Sequence, residues 1–560
     1  MLRSLLICLL ALHQLTESLC GSEPARSRNG MVVSQDRFAS EIGVQAMRDG
    51  GNAIDAAIAT AFALAVTHPA AGNIGGGGFL VFRPNDGDSI AYDFREVAPA
   101  AATPDMWLVN GQYDSKRHHH SHLAVGVPGT VAGLYLAWQE KAKLPWKRLV
   151  QPAIDLAQDG FVIHDGLARS LKEILPRLKR YQASFAQFSN DGVPYEAGML
   201  FKQPDLARTL SRIAEHGPKG FYEGKTAQLI VDDMRANGGI MTLADLKSYT
   251  AKKRVPIVGA YRGYDVISMA PPSSGGIAIV EMLNLLEPFD LRKFGYGSSR
   301  NTHLLAEVMR RAFADRARHL GDPDFNPQLP VDRLISKEYA NKIRRSISAD
   351  RASKSSPTSF EWPDESSETT HLSVVDSQRN AVALTYTLEY SYGSGIVVPG
   401  GGFLLNNEMG DFNPGRGLTN EKGLIGTEPN LTQPKKRMLS SMTPTILAKD
   451  GRLFMVTGTP GGRTIINTVL QTIVNVVDYQ MNAQQAVDAG RIHHQWLPDR
   501  IQHEKYALSH DVKSRLQEMG HSLYEIAIQG AAQVIVVDFK EKVLEGGNDR
   551  RRSGGAAVGY

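Results

Sequence analysis

The chain has 560 residues, more than one ordinary hydrophobic core supports, so we expect one large domain or two intertwined domains. Apolar residues make up 42% of the chain and charged residues 21%, which is typical of soluble globular proteins. The 62 basic and 58 acidic residues give a formal net charge of +4, which provides no electrostatic case for binding nucleic acid.

The N-terminus, residues 1–20, has the pattern of an export signal peptide. Arg3 supplies a positive start, and residues 4–12 form an apolar run that is too short to cross a bilayer. We therefore expect an exported protein, periplasmic or extracellular, with no stable membrane span. Lipidation at Cys20 is an alternative, although Leu19 is bulky where such sites favour a small residue.

Both cysteines of the chain, Cys8 and Cys20, lie inside this segment. The mature chain is therefore expected to contain no disulfide, no thiolate metal site and no cysteine nucleophile. An exported enzyme without redox chemistry fits this cysteine usage.

Three patterns follow in the first half of the chain. Residues 40–66 predict two helices separated by a Gly-Gly pair. The second is apolar nearly all round, and we expect a core helix because it is only about 14 residues long and carries Asp55. Residues 72–84 predict a glycine-rich turn and a strand, in a pattern that matches neither known nucleotide-binding loop. Residues 148–250 show amphipathic helical patterns.

A polar linker then meets a strand. Residues 345–368 are Ser-rich and contain two prolines, whereas THLSVVD and NAVALTYTLEY predict a hairpin directly after them. The junction begins with Thr369 and Thr370. If the chain is cut before Thr369, one residue carries both a hydroxyl nucleophile and an α-amino base with a pKa of about 7.7–8.0. Threonine is also common in strands, and the spacing alone favours that plainer interpretation.

Longer motifs favour the nucleophile interpretation of Thr369 over that of an ordinary strand residue. The segments GGNAIDAAIATAFALAVTHPAAGNIGGGGF, YDFREVAPAAAT, ETTHLSVVDSQRNAVALTYTL, RMLSSMTPTI and VTGTPGGR occur in this order. With them the chain resembles the γ-glutamyltranspeptidase family from about residue 30 to Tyr560. The resemblance implies an N-terminal nucleophile hydrolase with an α+β fold, an αββα sandwich of two antiparallel sheets between helical layers. It also implies a proenzyme that cleaves itself into two subunits and needs no metal or organic cofactor.

The resemblance implies cleavage between Glu368 and Thr369. The large subunit would comprise residues 21–368, including the linker, and the small catalytic subunit residues 369–560. Thr369 would be the nucleophile, Thr387 would hydrogen-bond it, and the backbone N–H groups of Gly461 and Gly462 would form the oxyanion hole.

The implied substrate pocket binds both charged groups of a free amino-acid head group, which only a γ-linked glutamyl compound offers. The residues that match are Arg95, Ser440 and Ser441 for the α-carboxylate, and Asp411, Glu408 and Glu389 for the α-ammonium group. Arginine suits a carboxylate because its guanidinium donates two parallel hydrogen bonds.

The implied reaction starts when Thr369 attacks the γ-amide of glutathione or a related small molecule. The γ-glutamyl group then passes to water, or to an amino acid or dipeptide. Three alternatives stay open on this scaffold: a cephalosporin acylase, a γ-polyglutamate depolymerase, and an unprocessed homologue without activity.

Four features depart from the family pattern or vary within it. Glu389 stands where some members have Asn, and Gly410 replaces an acid. Residues 413–437 are long enough to form the lid found in several bacterial members, and Lys422 stands where some of these lids have Tyr. The tract at residues 118–120, with His122, is predicted to be a solvated variable loop that could bind metal adventitiously.

Overall fold

The computed structural model describes residues 22–356, 369–418 and 425–560. The predicted signal peptide, Glu368 of the predicted cleavage site and Lys422 of the predicted lid lie outside these residues. Within the described residues, no helix combines the length and the apolar character needed to cross a membrane.

Two seven-stranded sheets form the centre of the described chain. The strands are β1 (Ala25–Ser27), β2 (Met31–Ser34), β3 (Gly77–Arg83), β4 (Ile90–Phe94), β5 (Lys252–Arg254), β6 (Ile257–Tyr261), β7 (Tyr264–Ser268), β8 (Thr370–Val375), β9 (Ala381–Thr387), β10 (Thr445–Lys449), β11 (Arg452–Gly458), β12 (Gln533–Asp538), β13 (Val543–Asn548) and β14 (Ala556–Gly559). The first sheet has the order β1-β13-β12-β11-β10-β7-β6, and the second has the order β14-β2-β8-β9-β3-β4-β5. The pairings in both sheets are antiparallel.

Helices cover the outer faces of both sheets. They are α1 (Arg37–Arg48), α2 (Ala53–Thr67), α3 (Ser115–His119), α4 (Thr130–Lys141), α5 (Trp146–Asp159), α6 (Asp165–Leu178), α7 (Gln182–Phe188), α8 (Pro204–His216), α9 (Lys219–Tyr222), α10 (Gly224–Ala236), α11 (Leu243–Ser248), α12 (Gly275–Leu286), α13 (Leu291–Phe294), α14 (Ser299–His319), α15 (Val331–Leu334), α16 (Lys337–Arg344), α17 (Thr464–Val477), α18 (Ala483–Asp488) and α19 (His510–Glu518). Short 3₁₀ helices span His122–Ala124, Glu408–Asp411 and Glu428–Asn430.

Smaller sheets lie outside the two central ones. They pair Leu108–Val109 with Gln112–Tyr113, Phe161–Val162 with Leu200–Phe201, and Ile501–Glu504 with both Ile492–His493 and Leu523–Ile526.

Two large apolar cores give the molecule four layers. One core packs α2 and its neighbouring helices against the second sheet, through residues such as Leu80 and Leu372. The other core fills the space between the sheets and continues beneath α12, α14 and α17. This arrangement confirms the predicted αββα sandwich and its α+β class.

The helix pair predicted from residues 40–66 is present as α1 and α2, and all 15 residues of α2 are buried. Its first turn is closed reciprocally: the Asn52 side chain accepts hydrogen bonds from the backbone of Ile54 and Asp55, while Asp55 accepts one from the Asn52 N–H. Asp55 also accepts from the backbone N–H groups of Lys143 (3.0 Å) and Leu144 (2.9 Å). One buried carboxylate therefore joins α2 to the loop after α4.

The predicted hairpin is β8–β9, and it lies in the middle of the second sheet, between β2 and β3. Thr370 pairs with Tyr386, so Thr369 and Thr387 come next in register at the open end of the hairpin. Both residues of this end pair are buried.

We predict that Asp55→Ala destabilises the fold by about 3–4 kcal/mol, because three backbone N–H groups lose their acceptor in a poorly solvated site. Denaturant unfolding of the two proteins measures the change. Asp159→Ala, at an exposed helix end, is the matched control and should change stability by less than about 0.5 kcal/mol. Equal effects of the two substitutions would contradict the proposed role of Asp55 in joining α2 to the loop after α4.

Candidate active site

Nine of the ten residues predicted for catalysis and substrate binding line one pocket at the end of the β8–β9 hairpin. They are Arg95, Thr369, Thr387, Glu389, Glu408, Asp411, Ser440, Ser441 and Gly462, with Met442 and Ile465 completing the wall. The tenth, Gly461, precedes Gly462 in the chain. The fold thus brings together segments that are more than 300 residues apart.

The two threonines at the hairpin end face each other. Thr369 Oγ1 lies 3.3 Å from Thr387 Oγ1, to which it donates, and Thr369 is 4% exposed. Thr387 Oγ1 also accepts a hydrogen bond of 2.9 Å from the Glu389 backbone N–H. Because these contacts fix Thr387, its hydroxyl holds the Thr369 side chain in one orientation.

A buried asparagine that the sequence interpretation missed supports this end of β9. Asn73 Nδ2 donates to the Thr387 carbonyl oxygen (2.9 Å), while Asn73 Oδ1 accepts from the Gly76 N–H and the Thr130 hydroxyl. The only sequence signal was its place in the glycine-rich turn before β3.

Gly461 and Gly462 form a turn at the start of α17. Their φ angles are 136° and 54°, a region that glycine adopts without the steric cost of a side chain. The carbonyl oxygens of both point to the helix and accept from Thr464 and Ile465. In the described part of the chain, no acceptor takes a hydrogen bond from the N–H group of either glycine.

Arg95 directly follows β4 and is fully buried. Its guanidinium donates to the carboxylates of Glu408 and Asp411, and also to the carbonyl oxygens of Met438 (3.4 Å) and Leu439 (3.3 Å). Burial acts to lower the pKa of Arg95, but the surrounding carboxylates outweigh it and raise that pKa above its ordinary value. The arginine is therefore a fixed positive charge.

Glu96 is a further buried acid beside this arginine, and the sequence interpretation missed it. Its Oε2 lies 3.7 Å from Arg95 Nη1, and its side chain is fully buried. Burial raises the pKa of Glu96 to about 7, although Arg95 acts in the opposite direction. Burial likewise raises the pKa of Glu408, since Arg95 compensates only part of the effect. The position of Glu96 next to Arg95 in the YDFREVAP motif was the signal that the sequence offered.

The two serines occupy different positions. Ser440 Oγ accepts from the Met442 backbone N–H (3.1 Å), so it stabilises its own turn. Ser441 Oγ accepts from Arg316 Nη2 (2.9 Å), and Arg316 Nε donates to Ser274 Oγ (2.7 Å). Arg316 is buried on α14 and went unnoticed in the sequence, where it looks like one of several arginines of an amphipathic helix.

Glu389 has a left-handed backbone conformation, with φ of 78°. Asn tolerates this conformation better than Glu does, so the departure from Asn at this position has a cost in backbone strain. Its carboxylate Oε1 lies 3.5 Å from His119 Nδ1.

The prediction of a solvated loop at residues 118–120 is wrong. His118 is 1% exposed because its ring packs on Trp107, and His122 is also buried. The tract ends helix α3 and packs against the 3₁₀ helix Glu408–Asp411, where His118 Nε2 donates to the Met409 carbonyl oxygen (3.0 Å). His118 and His119 therefore lie behind the pocket wall, whereas His122 faces Asp233 at 3.1 Å.

Three other side chains among the described residues lie close enough together to hold a metal ion: His303, Glu307 and His521. Burial acts to raise the pKa of Glu307, but Arg310, Ser353 and Arg311 together lower it to about 2. This carboxylate is already paired with two arginines, so the cluster fits an ion-pair network and lies apart from the pocket.

The sequence profile of the family described as "Gamma-glutamyltranspeptidase" matches residues 39–559. The chain belongs to this family.

Relatives extend over the same length. The "Glutathione hydrolase proenzyme" of Escherichia coli (strain K12) is 47% identical over 545 residues, which cover 96% of this chain and 93% of the relative. The "Acylase ACY 1 proenzyme" of Pseudomonas sp. (strain V22) is 38% identical over 513 residues, with 90% and 89% covered.

Solved structures share the fold. The cephalosporin acylase from Bacillus halodurans superposes with a TM-score of 0.85 at 27% identity, covering 97% of this chain and 98% of that chain. The Helicobacter pylori gamma-glutamyltranspeptidase gives a TM-score of 0.57 at 47% identity, covering 60% of this chain and 95% of that chain.

The raised pKa of Glu96 predicts a pH-dependent stability. The folded state holds this proton more tightly than the unfolded chain, whose ordinary pKa is 4.5. The associated stabilisation is fully present below pH 4.5 and is lost as the pH rises through about 7. Between pH 5 and pH 8, wild-type stability should fall more than that of Glu96→Gln, by on the order of 1–3 kcal/mol.

Unfolding curves at both pH values test this prediction, with Glu41→Gln on an exposed helix face as the control. A fall of the same size in the wild type and Glu96→Gln would show that Glu96 does not hold an extra proton in the folded state.

Proposed function

We propose that this protein is a self-processing γ-glutamyltransferase and glutathione hydrolase. The observation that carries the proposal is one pocket in which Thr369 faces Thr387 and Arg95 lies among three carboxylates and two serines. Membership of the γ-glutamyltranspeptidase family and the similarity to glutathione hydrolase proenzymes support it.

Self-cleavage starts from the Thr369 hydroxyl. Its Oγ1 attacks the carbonyl carbon of Glu368, the peptide C–N bond breaks, and the nitrogen of Thr369 takes the proton. Water then hydrolyses the resulting ester, which leaves a carboxylate on Glu368 and a free α-amino group on Thr369. The contact of 3.3 Å with Thr387 supports this role, because it orients the attacking oxygen.

Turnover repeats the same attack on a substrate. The α-amino group of Thr369 takes the hydroxyl proton while Oγ1 attacks the γ-amide carbonyl. The N–H groups of Gly461 and Gly462 donate to the developing oxyanion. The amine leaves with the proton, and water or a second amine then releases the γ-glutamyl group from the ester.

The charges of the pocket explain a preference for a free amino-acid head group. Arg95 is bonded to Glu408 and Asp411 in this structure. When a substrate α-carboxylate pairs with Arg95, the α-ammonium group of the same substrate pairs with Asp411, so no buried charge loses its partner. The Ser441 oxygen accepts from Arg316, which leaves its own hydroxyl proton for the substrate carboxylate.

We propose further that residues 1–20 are a signal peptide and that the protein acts in the periplasm or outside the cell. Subunits 21–368 and 369–560 stay together after cleavage as a heterodimer. The sheet order supports this assembly, because β8 and β9 of the small subunit lie between β2 and β3 of the large one.

The first experiment is a denaturing gel of purified protein with N-terminal sequencing of the smaller band, which should begin TTHLSV. Thr369→Ala should leave a single chain of 61.2 kDa or less and abolish turnover, because the attacking oxygen is gone. Thr370→Val is the matched control, since the buried Thr370 hydroxyl has no partner among the described residues. A cleaved or active Thr369→Ala protein would refute the mechanism.

A cephalosporin acylase activity is the second candidate, because the acylase from Bacillus halodurans shares this fold over nearly the whole chain. A γ-polyglutamate depolymerase and a silent homologue are further outcomes of the same tests. Glutaryl-p-nitroanilide and γ-glutamyl-p-nitroanilide separate the first two activities, since they differ only in the α-ammonium group.

We predict that kcat/KM for the γ-glutamyl compound exceeds that for the glutaryl compound by at least about 100-fold. Without an ammonium group, a bound glutaryl substrate would separate Asp411 from Arg95 and leave a carboxylate unpaired. A preference for the glutaryl compound would favour the acylase, and release of glutamate only from polymers would favour the depolymerase.

A further inference from the structure

The His119 ring occupies space beside the pocket that is open because residue 410 is a glycine. A Cβ atom built on Gly410 would come within 2.3 Å of His119 Nδ1 and 3.1 Å of Glu389 Oε1. A larger residue at position 410 would therefore displace the imidazole. With glycine there, His119 stacks on Tyr390, with ring centroids 5.3 Å apart, and directs Nδ1 to Glu389.

The direction of the hydrogen bonds around His119 follows from its neighbours. His118 Nε2 faces the Met409 carbonyl oxygen, so this nitrogen carries a hydrogen and donates. Burial, together with the neighbouring His119, lowers the pKa of His118 well below its ordinary value and keeps its ring neutral. Its Nδ1 therefore accepts the hydroxyl hydrogen of Tyr113 at 3.1 Å.

Tyr113 has only one hydrogen to give, and it is used on His118. The Tyr113 oxygen lies 3.2 Å from His119 Nε2, so this nitrogen must donate to it. A neutral His119 would then direct the lone pair of Nδ1 at the Glu389 carboxylate. The contact becomes favourable when a proton lies between the two groups, and on Nδ1 this proton makes His119 an imidazolium ion paired with the carboxylate.

We propose that His119 is a positioning residue for Glu389, which it orients and neutralises at the end of the pocket that receives the substrate α-ammonium group. The pair carries no net charge, as does the Asn found here in some members of the family. The inference rests on the proposed γ-glutamyl activity.

Removal of the imidazole should weaken substrate binding. Glu389 shares the pocket with Glu408 and Asp411, and loss of the imidazolium beside it leaves these like charges to disfavour its carboxylate form. A protonated carboxyl group binds an ammonium ion less strongly than a carboxylate does. The expected effect is on KM, because the ammonium group lies away from the reacting carbonyl carbon.

The experiment is a double-mutant cycle on the processed enzyme, with γ-glutamyl-p-nitroanilide as substrate. His119→Ala should raise KM by roughly three- to tenfold and leave kcat within about twofold. In a Glu389→Asn background the same substitution should change KM by less than about twofold, because no carboxylate remains to be held. Thermal unfolding of each variant verifies that it is folded.

Three further variants sharpen the test. His119→Gln keeps a donor and should recover part of the loss, whereas Gly410→Ala should reproduce the loss by displacing the imidazole. His120→Ala is the control, since the ring of His120 contacts His119 and Tyr390 but not the carboxylate.

Each outcome decides the proposal. An equal rise of KM in both backgrounds, or a loss confined to kcat, would show that His119 only packs against Tyr390 and would overturn the inference. An unchanged KM in His119→Ala would overturn it as well. A wild-type enzyme inactive on the γ-glutamyl compound would instead refute the proposed function, and the inference with it.

Discussion

The antiparallel register of β8 and β9 is the constraint on which the site depends. Thr370 pairs with Tyr386, which brings Thr369 opposite Thr387 at the open end of a hairpin with sheet partners on both sides. Strands hydrogen-bonded on both edges have little freedom to shift, since a slip of one residue reverses every side chain. Thr369, the proposed nucleophile, therefore has a fixed position at the start of a strand.

Charge compensation is the second constraint, and it follows from burial. Arg95, Glu96 and Glu408 are almost completely enclosed, together with part of Asp411. One guanidinium faces three carboxyl groups, so the site is stable only if a proton or a cationic group balances the excess. The raised pKa of Glu96 is one response to this excess. A substrate that brings its own ammonium group is another, which links the charge balance to recognition.

Long, ordered motifs made the sandwich and most pocket residues predictable. The helix pair at residues 40–66 and the β8–β9 hairpin follow from periodicity, and Arg95 follows from its motif. Asn73, Glu96 and Arg316 were missed for one physical reason: each acts through a contact with a residue distant in sequence or through burial, and neither is visible in local spacing. The pairing of Arg316 with Ser441, for example, joins α14 to a loop 125 residues later.

The histidine tract shows how such a contact can mislead an interpretation. Three successive histidines in a polar context are typical of a solvent-exposed loop, yet His118 is buried against Trp107 and Met409. Once His118 is fixed as a neutral acceptor, the hydrogen of Tyr113 is committed and His119 Nε2 donates to the Tyr113 oxygen. Gly410 then has a consequence that its lack of a side chain hides, since only glycine leaves room for this imidazole beside Glu389. The departures at positions 389 and 410 are thus two parts of one arrangement, in which a histidine restores the neutrality that an acid at position 389 removes.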